Sequence, residues 1–155
     1  PGDTVRIING YYIHPDSREK IDLGYYTERL SNTPDSILTE MGVVVKAFQL
    51  NKRIEWSIRE FGPLYVPKTV DQIEITPANL KTDRKMIHYE TGIWPRIKDN
   101  VITLAGEVLK SYQFQTDWYF FGGDNVLNSR DSRYFGLVPE EYIIGIVYTN
   151  RRKHI

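Results

Sequence analysis

Cysteine is absent from the 155 residues. That removes disulfides, thiol nucleophiles and thiolate metal sites, and it leaves the redox compartment open. A surplus of one charge is missing too. Lys plus Arg and Asp plus Glu stand at 20 each, so the overall balance singles out neither nucleic acid nor an anionic surface as a partner. Uninterrupted apolar runs reach only a few residues, too short to cross a bilayer. No Met opens the chain and no signal peptide precedes Pro1-Gly2-Asp3, so an excised piece of something longer is expected. What is present is β-forming. Aromatics make up 13% of the chain, with 11 tyrosines, and the length suits one domain or two intimate lobes burying about two thirds of the unfolded surface.

Turn chemistry divides the chain. Asn9-Gly10 inside "DTVRIINGYYI" predicts a hairpin of 4–8 with 11–13 around a type I′ turn. Residues 14–31 are polar, with Pro15 and Gly24 as breakers, and read as loop or irregular edge. "TPDSILTEMG" predicts a helix near 34–41, capped by Thr33 and stopped by Gly42. "VVVKAF" and "RIEWSI" read as strands, and the two prolines of "FGPLYVPK" make it an edge or crossing segment. "DQIEI" is a short strand. A second Thr-Pro to Gly bracket, "TPANLKTDRKMIHYETG", predicts a helix near 77–90. Its thin apolar face (Leu80, Met86, Ile87) should pack on a surface. "NVITL", a turn at 105–107, "VLKSYQF", "WYFF" and "EYIIGIVYT" complete a run of strands. The sum is a mainly antiparallel β fold with two helical insertions.

Between the last two strands lies "GGDNVLNSRDSRYFGLVP", residues 122–139. A surface turn needs one Gly or Asn, not a polar stretch of this length. Pinned between two apolar runs expected to be buried, such a loop is where a scaffold carries chemistry. Composition alone leaves two readings open. One is a self-stabilised turn in which Asp124 and Asn125 cap amides and Asp131 pairs with Arg133. The other is a platform that aims the Ser129 hydroxyl at a partner. Several chemistries are not expected. His14, His88 and His154 lack metal-ligand spacing and read as surface residues. Val126 interrupts any calcium pattern, and no Lys or helix follows Gly122-Gly123 as a phosphate loop requires. No Gly-x-Ser-x-Gly elbow occurs.

The motif Gly123-Asp124-Asn125, then Ser129, Asp131-Ser132-Arg133-Tyr134, Gly136 and "VPEE" at 138–141 strongly resembles the C-terminal signature of type I signal peptidases. Pro1-Gly2-Asp3 resembles a second motif of that family, and "FGPLYVPK" and "TPANLKTDRK", within residues 14–114, resemble the large insertion of its Bacteroidetes-type members. One departure is Gly122, where the family commonly has an apolar residue such as Met; it bears on the packing beside Gly123.

The resemblance implies a partial barrel of the signal-peptidase type in two lobes, a catalytic β-core of 1–13 and 115–155 and an inserted lobe of 14–114. It implies a serine endopeptidase that cuts signal peptides from exported preproteins, anchored in the inner membrane with its catalytic domain facing the periplasm. No cofactor or nucleic acid is implied. The nucleophilic serine and the general-base lysine of the family would both fall upstream of Pro1, as would the membrane anchor, so this chain alone is expected to be inert. By matching positions, Ser129 resembles the hydroxyl that orients the lysine, and Asp131 and Arg133 the ion pair that fixes the loop. Gly123 and Asp124 resemble residues lining the lysine pocket, with Asn125 and Ser132 in support. Two rivals share some of these features. One is a non-catalytic peptidase-like module that binds a protein partner through its inserted lobe. The other is a self-cleaving repressor-type Ser–Lys peptidase, which lacks the Gly-Asp-Asn loop.

Overall fold

A computed structural model describes residues 2–47 and 56–147. The Asn9-Gly10 pair does what its type predicts. Both residues take positive φ (48° and 81°), and β1 (Asp3–Ile8) folds back on β2 (Tyr11–Ile13) with Ile8 opposite Tyr11. The sheet runs β3-β2-β1-β4, all antiparallel. Here β3 is Lys20–Ile21 and β4 is Phe61–Val66. The proline-bearing β4 therefore lies at an edge, as expected, and its Gly62–Pro63 peptide is cis.

Two helices follow that sheet's hairpin. The first, α1 (Tyr25–Asn32), corrects the loop reading of residues 14–31. Gly24 precedes it with φ 99° and acts as the helix entry rather than a breaker, while Thr27 and Leu30 are fully buried. The second, α2 (Asp35–Glu40), lies where the Thr-Pro to Gly bracket put it. Its N-cap is Pro34, however, with no side-chain cap hydrogen bond, so Thr33 does not cap. The expected strands at 43–48 and 53–58 reduce, among the described residues, to one bridge between Lys46 and Ser57; residues 48–55 lie outside them.

Next, β5 (Gln72–Glu74) pairs with β9 (Ser111–Gln113). Between them come α3 (Leu80–Thr91) and the sheet of β6 (Arg96–Lys98), β7 (Val101–Leu104) and β8 (Glu107–Val108). Helix α3 starts at Leu80, later than expected, and ends at Gly92, left-handed at φ 71°. In the β6-β7-β8 sheet the turn-makers Asp99-Asn100 and Ala105-Gly106 all have positive φ. The expected strand 108–114 is split into β8 and β9. Strand β10 (Trp118–Tyr119) pairs with β11 (Val138–Pro139), and a four-residue helix α4 (Ser132–Phe135) interrupts the loop between them. The sheets are antiparallel and do not close into a barrel.

Three apolar clusters underlie this. The largest joins Leu80, Met86 and Ile87 of α3 to Ile102, Phe114 and Trp118, so the thin helix face packs on one side of the core while the opposite face meets solvent. Glu90 ties the helix to β9 and β10. It accepts from Tyr112 Oη at 2.7 Å, Trp118 Nε1 at 3.0 Å and the amides of Gln115 and Thr116. The second cluster holds Ile7, Trp56, Phe61 and Leu64. The third is Leu30, Leu38, Ile58 and Val126. The run 143–147, expected as a buried strand, is in no sheet, and Tyr142, Ile144, Ile146 and Val147 are exposed. A continuous apolar run says nothing of where its partner strand comes from, and here none of the described residues supplies one.

Candidate functional site

The loop is held at its base by the β10–β11 pair and again from its middle. Val126, which breaks the calcium pattern, is fully buried against Leu30 and Leu38 of α1 and α2. Tyr134 Oη donates to the Val44 carbonyl at 3.0 Å. On the upstream side, residues 121–123 run beside 131–133, and side chains replace the missing ladder. Phe121 N donates to Ser132 Oγ, and Ser132 N returns a bond to the Phe121 carbonyl, both at 3.0 Å. Gly123 N donates to Asp131 Oδ2 at 2.9 Å. Asp131 also caps α4, accepting from Arg133 N at 3.0 Å, which satisfies one of the helix's free donors.

Asp131 and Arg133 are 5% and 1% exposed. Their pairing is bidentate, Nε to Oδ1 at 2.8 Å and one terminal nitrogen to Oδ2 at 2.5 Å. Burial pushes the Asp131 carboxyl up, but the Arg133 hydrogen bonds and the Gly123 amide outweigh it and hold the acid below its ordinary range. Burial likewise works against the Arg133 cation, and Asp131 reverses that. A fork-to-fork geometry with every carboxylate oxygen engaged is what a buried pair needs to persist.

Ser129 Oγ donates to Asp131 Oδ2 at 2.9 Å. Its proton is thus committed, and the lone pairs of Oγ remain free to accept. The neighbouring carboxylate is a poor base, because its acidity is strengthened rather than weakened. A Cβ at Gly123 would lie 2.1 Å from Ser129 Oγ, so only glycine permits this approach. Among the other candidates, Asp124 Oδ1 accepts from the Asn125 amide at 2.8 Å. The side-chain amide oxygen of Asn125, Oδ1, is buried without a partner, while its backbone carbonyl accepts from Asn128 N at 3.0 Å. Ser132 is fully buried and serves Phe121.

Sequence reasoning missed Tyr12. A Cβ at Gly122 would lie 2.1 Å from Tyr12 Oη and 2.5 Å from the ring carbon bearing it. The phenol of β2 fills the place that a side chain at 122 would take, and this accounts for Gly122. The hydroxyl is buried with no hydrogen-bond partner, and burial pushes its pKa up to about 12. The departure at Gly122 was the available signal: a missing side chain in a packed position needs something else to fill it. Tyr12 and Gly122 both line an open groove of about 620 Å³, with Asp3–Arg6 on one wall and Asp117–Phe120 on the other. Trp118 is buried as expected of the aromatic run, Tyr119 and Phe120 are half-buried, and Phe121 is exposed.

His14 is exposed and its Nδ1 accepts from the Asp16 and Ser17 amides. His88 is half-buried and stacked on Trp94, which corrects its surface reading, and His154 lies outside the described residues. No group of three acidic or His side chains among the described residues could hold a metal ion. No helix among them is long and apolar enough to cross a membrane. A family model described as signal peptidase, peptidase S26, matches residues 69–149. No curated protein and no solved structure matches the chain.

Proposed function

The chain belongs to the signal peptidase family, peptidase S26, as the C-terminal part of a type I enzyme, and on that premise we propose that it carries the supporting half of a Ser–Lys site. In this reading the complete protein removes signal peptides from exported preproteins. The nucleophilic serine, the general-base lysine and an inner-membrane anchor lie upstream of Pro1, and the catalytic domain faces the periplasm. A free lysine titrates at about 10.4, so the base must be desolvated and kept from negative charge to be neutral at working pH.

One observation carries the proposal. Ser129 offers lone pairs while its proton goes to Asp131, and Asp131 is in turn neutralised by Arg133. A neutral acceptor can fix an amine without stabilising its charged form, whereas a free carboxylate would raise its pKa. Gly123, without a side chain, leaves the amine's approach clear.

The proposed organisation is a catalytic β-core of 1–13 and 115–155 with an inserted lobe of 14–114. The two are joined where β4 pairs with β1. The exposed apolar row Tyr142, Ile144, Ile146 and Val147 supports an upstream strand as its cover, since burying such side chains is worth about 1.5–3 kcal/mol each.

The test compares this chain with one extended upstream, on a peptide carrying a signal-peptide cleavage site. The 155-residue chain is expected to give no turnover and the extended chain to cleave. Turnover by the short chain that persists through purification would refute the assignment of the dyad upstream.

A further inference from the structure

Helix α3 segregates its charges. Its acids turn inward: Asp83 is buried, and Glu90 accepts from Tyr112, Trp118 and two amides. Lys81, Arg84 and Lys85 all stand exposed, and at about 3.6 residues per turn they share the outward face. No ion pair with another described residue engages any of them. A helix built for stability alone interleaves signs at i, i+4. This one forgoes those pairs and buries a carboxylate instead. The balanced charge of the whole chain conceals the segregation.

An apolar edge completes the surface. Arg84 lies over the Trp94 ring at 5.0 Å from its centroid, and His88 stacks on the same ring at 3.8 Å. Trp94 and its neighbour Ile93 nonetheless remain exposed. Unpaired cations on long flexible stems beside an exposed indole suit a headgroup layer, where phosphates meet the cations and the indole seats at the interface. A protein hot spot would instead gather its anchors in a desolvated pocket, and these side chains sit on the outside of a helix. The family is membrane-associated, so a lipid surface is at hand for the complete protein.

We propose that the outer face of α3 docks on an anionic phospholipid surface through Lys81, Arg84 and Lys85, with Trp94 at the interface. The family reading enters only by bringing a membrane near.

Vesicles of phosphatidylcholine with and without phosphatidylglycerol, mixed with the 155-residue chain and sedimented, test this. Binding is expected only to the vesicles containing phosphatidylglycerol, and it should weaken as salt rises. Lys81→Gln and Lys85→Gln should each lower the partition coefficient about fivefold, and Lys20→Gln on β3 should leave it unchanged. Circular dichroism of each variant checks folding, which exposed lysine changes rarely disturb. Absence of binding, equal binding to both vesicle types, or a K81Q/K85Q variant that binds like the parent would overturn the proposal. So would binding to polyglutamate but not to vesicles, which would assign the face to an acidic protein. None of these readouts involves peptide cleavage, so their failure leaves the peptidase reading intact.

Discussion

The buried pair of Asp131 and Arg133 is the loop's main fastening at the level of single residues. Arg133→Ala leaves an unpartnered buried carboxylate and should cost about 3–5 kcal/mol of stability, read as a lower denaturation midpoint. Because the folded Asp131 pKa is depressed, its contribution is present above the ordinary carboxylate pKa. It is lost as pH falls through the folded value. Tyr12 gives a sharper test. Gly122→Ala should cost about 1–3 kcal/mol by overpacking when Tyr12 is present. In a Tyr12→Val background, where the phenol is gone, the same change should fall within about 0.5 kcal/mol. Additive effects in that cycle would show that the two residues do not share the space. Adjacency in sequence made the Asp131–Arg133 pair legible. The Tyr12–Gly122 fit was not, because it depends on where a side chain from a distant strand arrives, and the Ser129–Asp131 bond, though local, depends on how the loop turns between the two residues.

Paired turn signals located α2 and α3, and Asn-Gly located the β1–β2 hairpin, because these residues act through their own backbone angles. Helix α1 was hidden. It buries little beyond Thr27 and Leu30, so its apolar period is too sparse to see, and Gly24 reads equally as a stop or a start. The strand at 108–114 was split for a similar reason: composition cannot tell one long strand from two. Inside α3, Asp83 makes a pH prediction. Burial raises its pKa to about 7, against the usual pull of a helix's first turn, which favours the ionised acid. A raised acid binds its proton more tightly when folded. The protein should therefore lose stability as pH rises from about 4 to 7 and level off above, the shift being worth about 1.4 kcal/mol per unit. Asp83→Asn should remove that slope and stabilise the protein at neutral pH. Denaturant midpoints measured across this range check it, and an unchanged slope in the variant would assign the effect elsewhere.

At the scale of the molecule, the sequence identified the antiparallel β class and the loop, but misjudged the end. The apolar run after Tyr142 has the composition of a core strand and none of the burial, since a strand's burial depends on a partner that composition does not name. In this chain the amides of 144–147 should exchange with solvent freely, and in a protein extended upstream they should be protected. Equal exchange in both would remove the exposed row as support for an upstream strand. The central claim is that Ser129 serves a lysine base. It is tested most directly by kcat and thermal midpoint of Ser129→Ala in the complete protein. Loss of one hydrogen bond to a neutral amine, about 0.5–1.5 kcal/mol, predicts up to roughly tenfold slower turnover with the midpoint nearly unchanged. A Ser129→Ala enzyme with full turnover per folded molecule and a lowered midpoint would contradict the claim and leave the loop a structural turn.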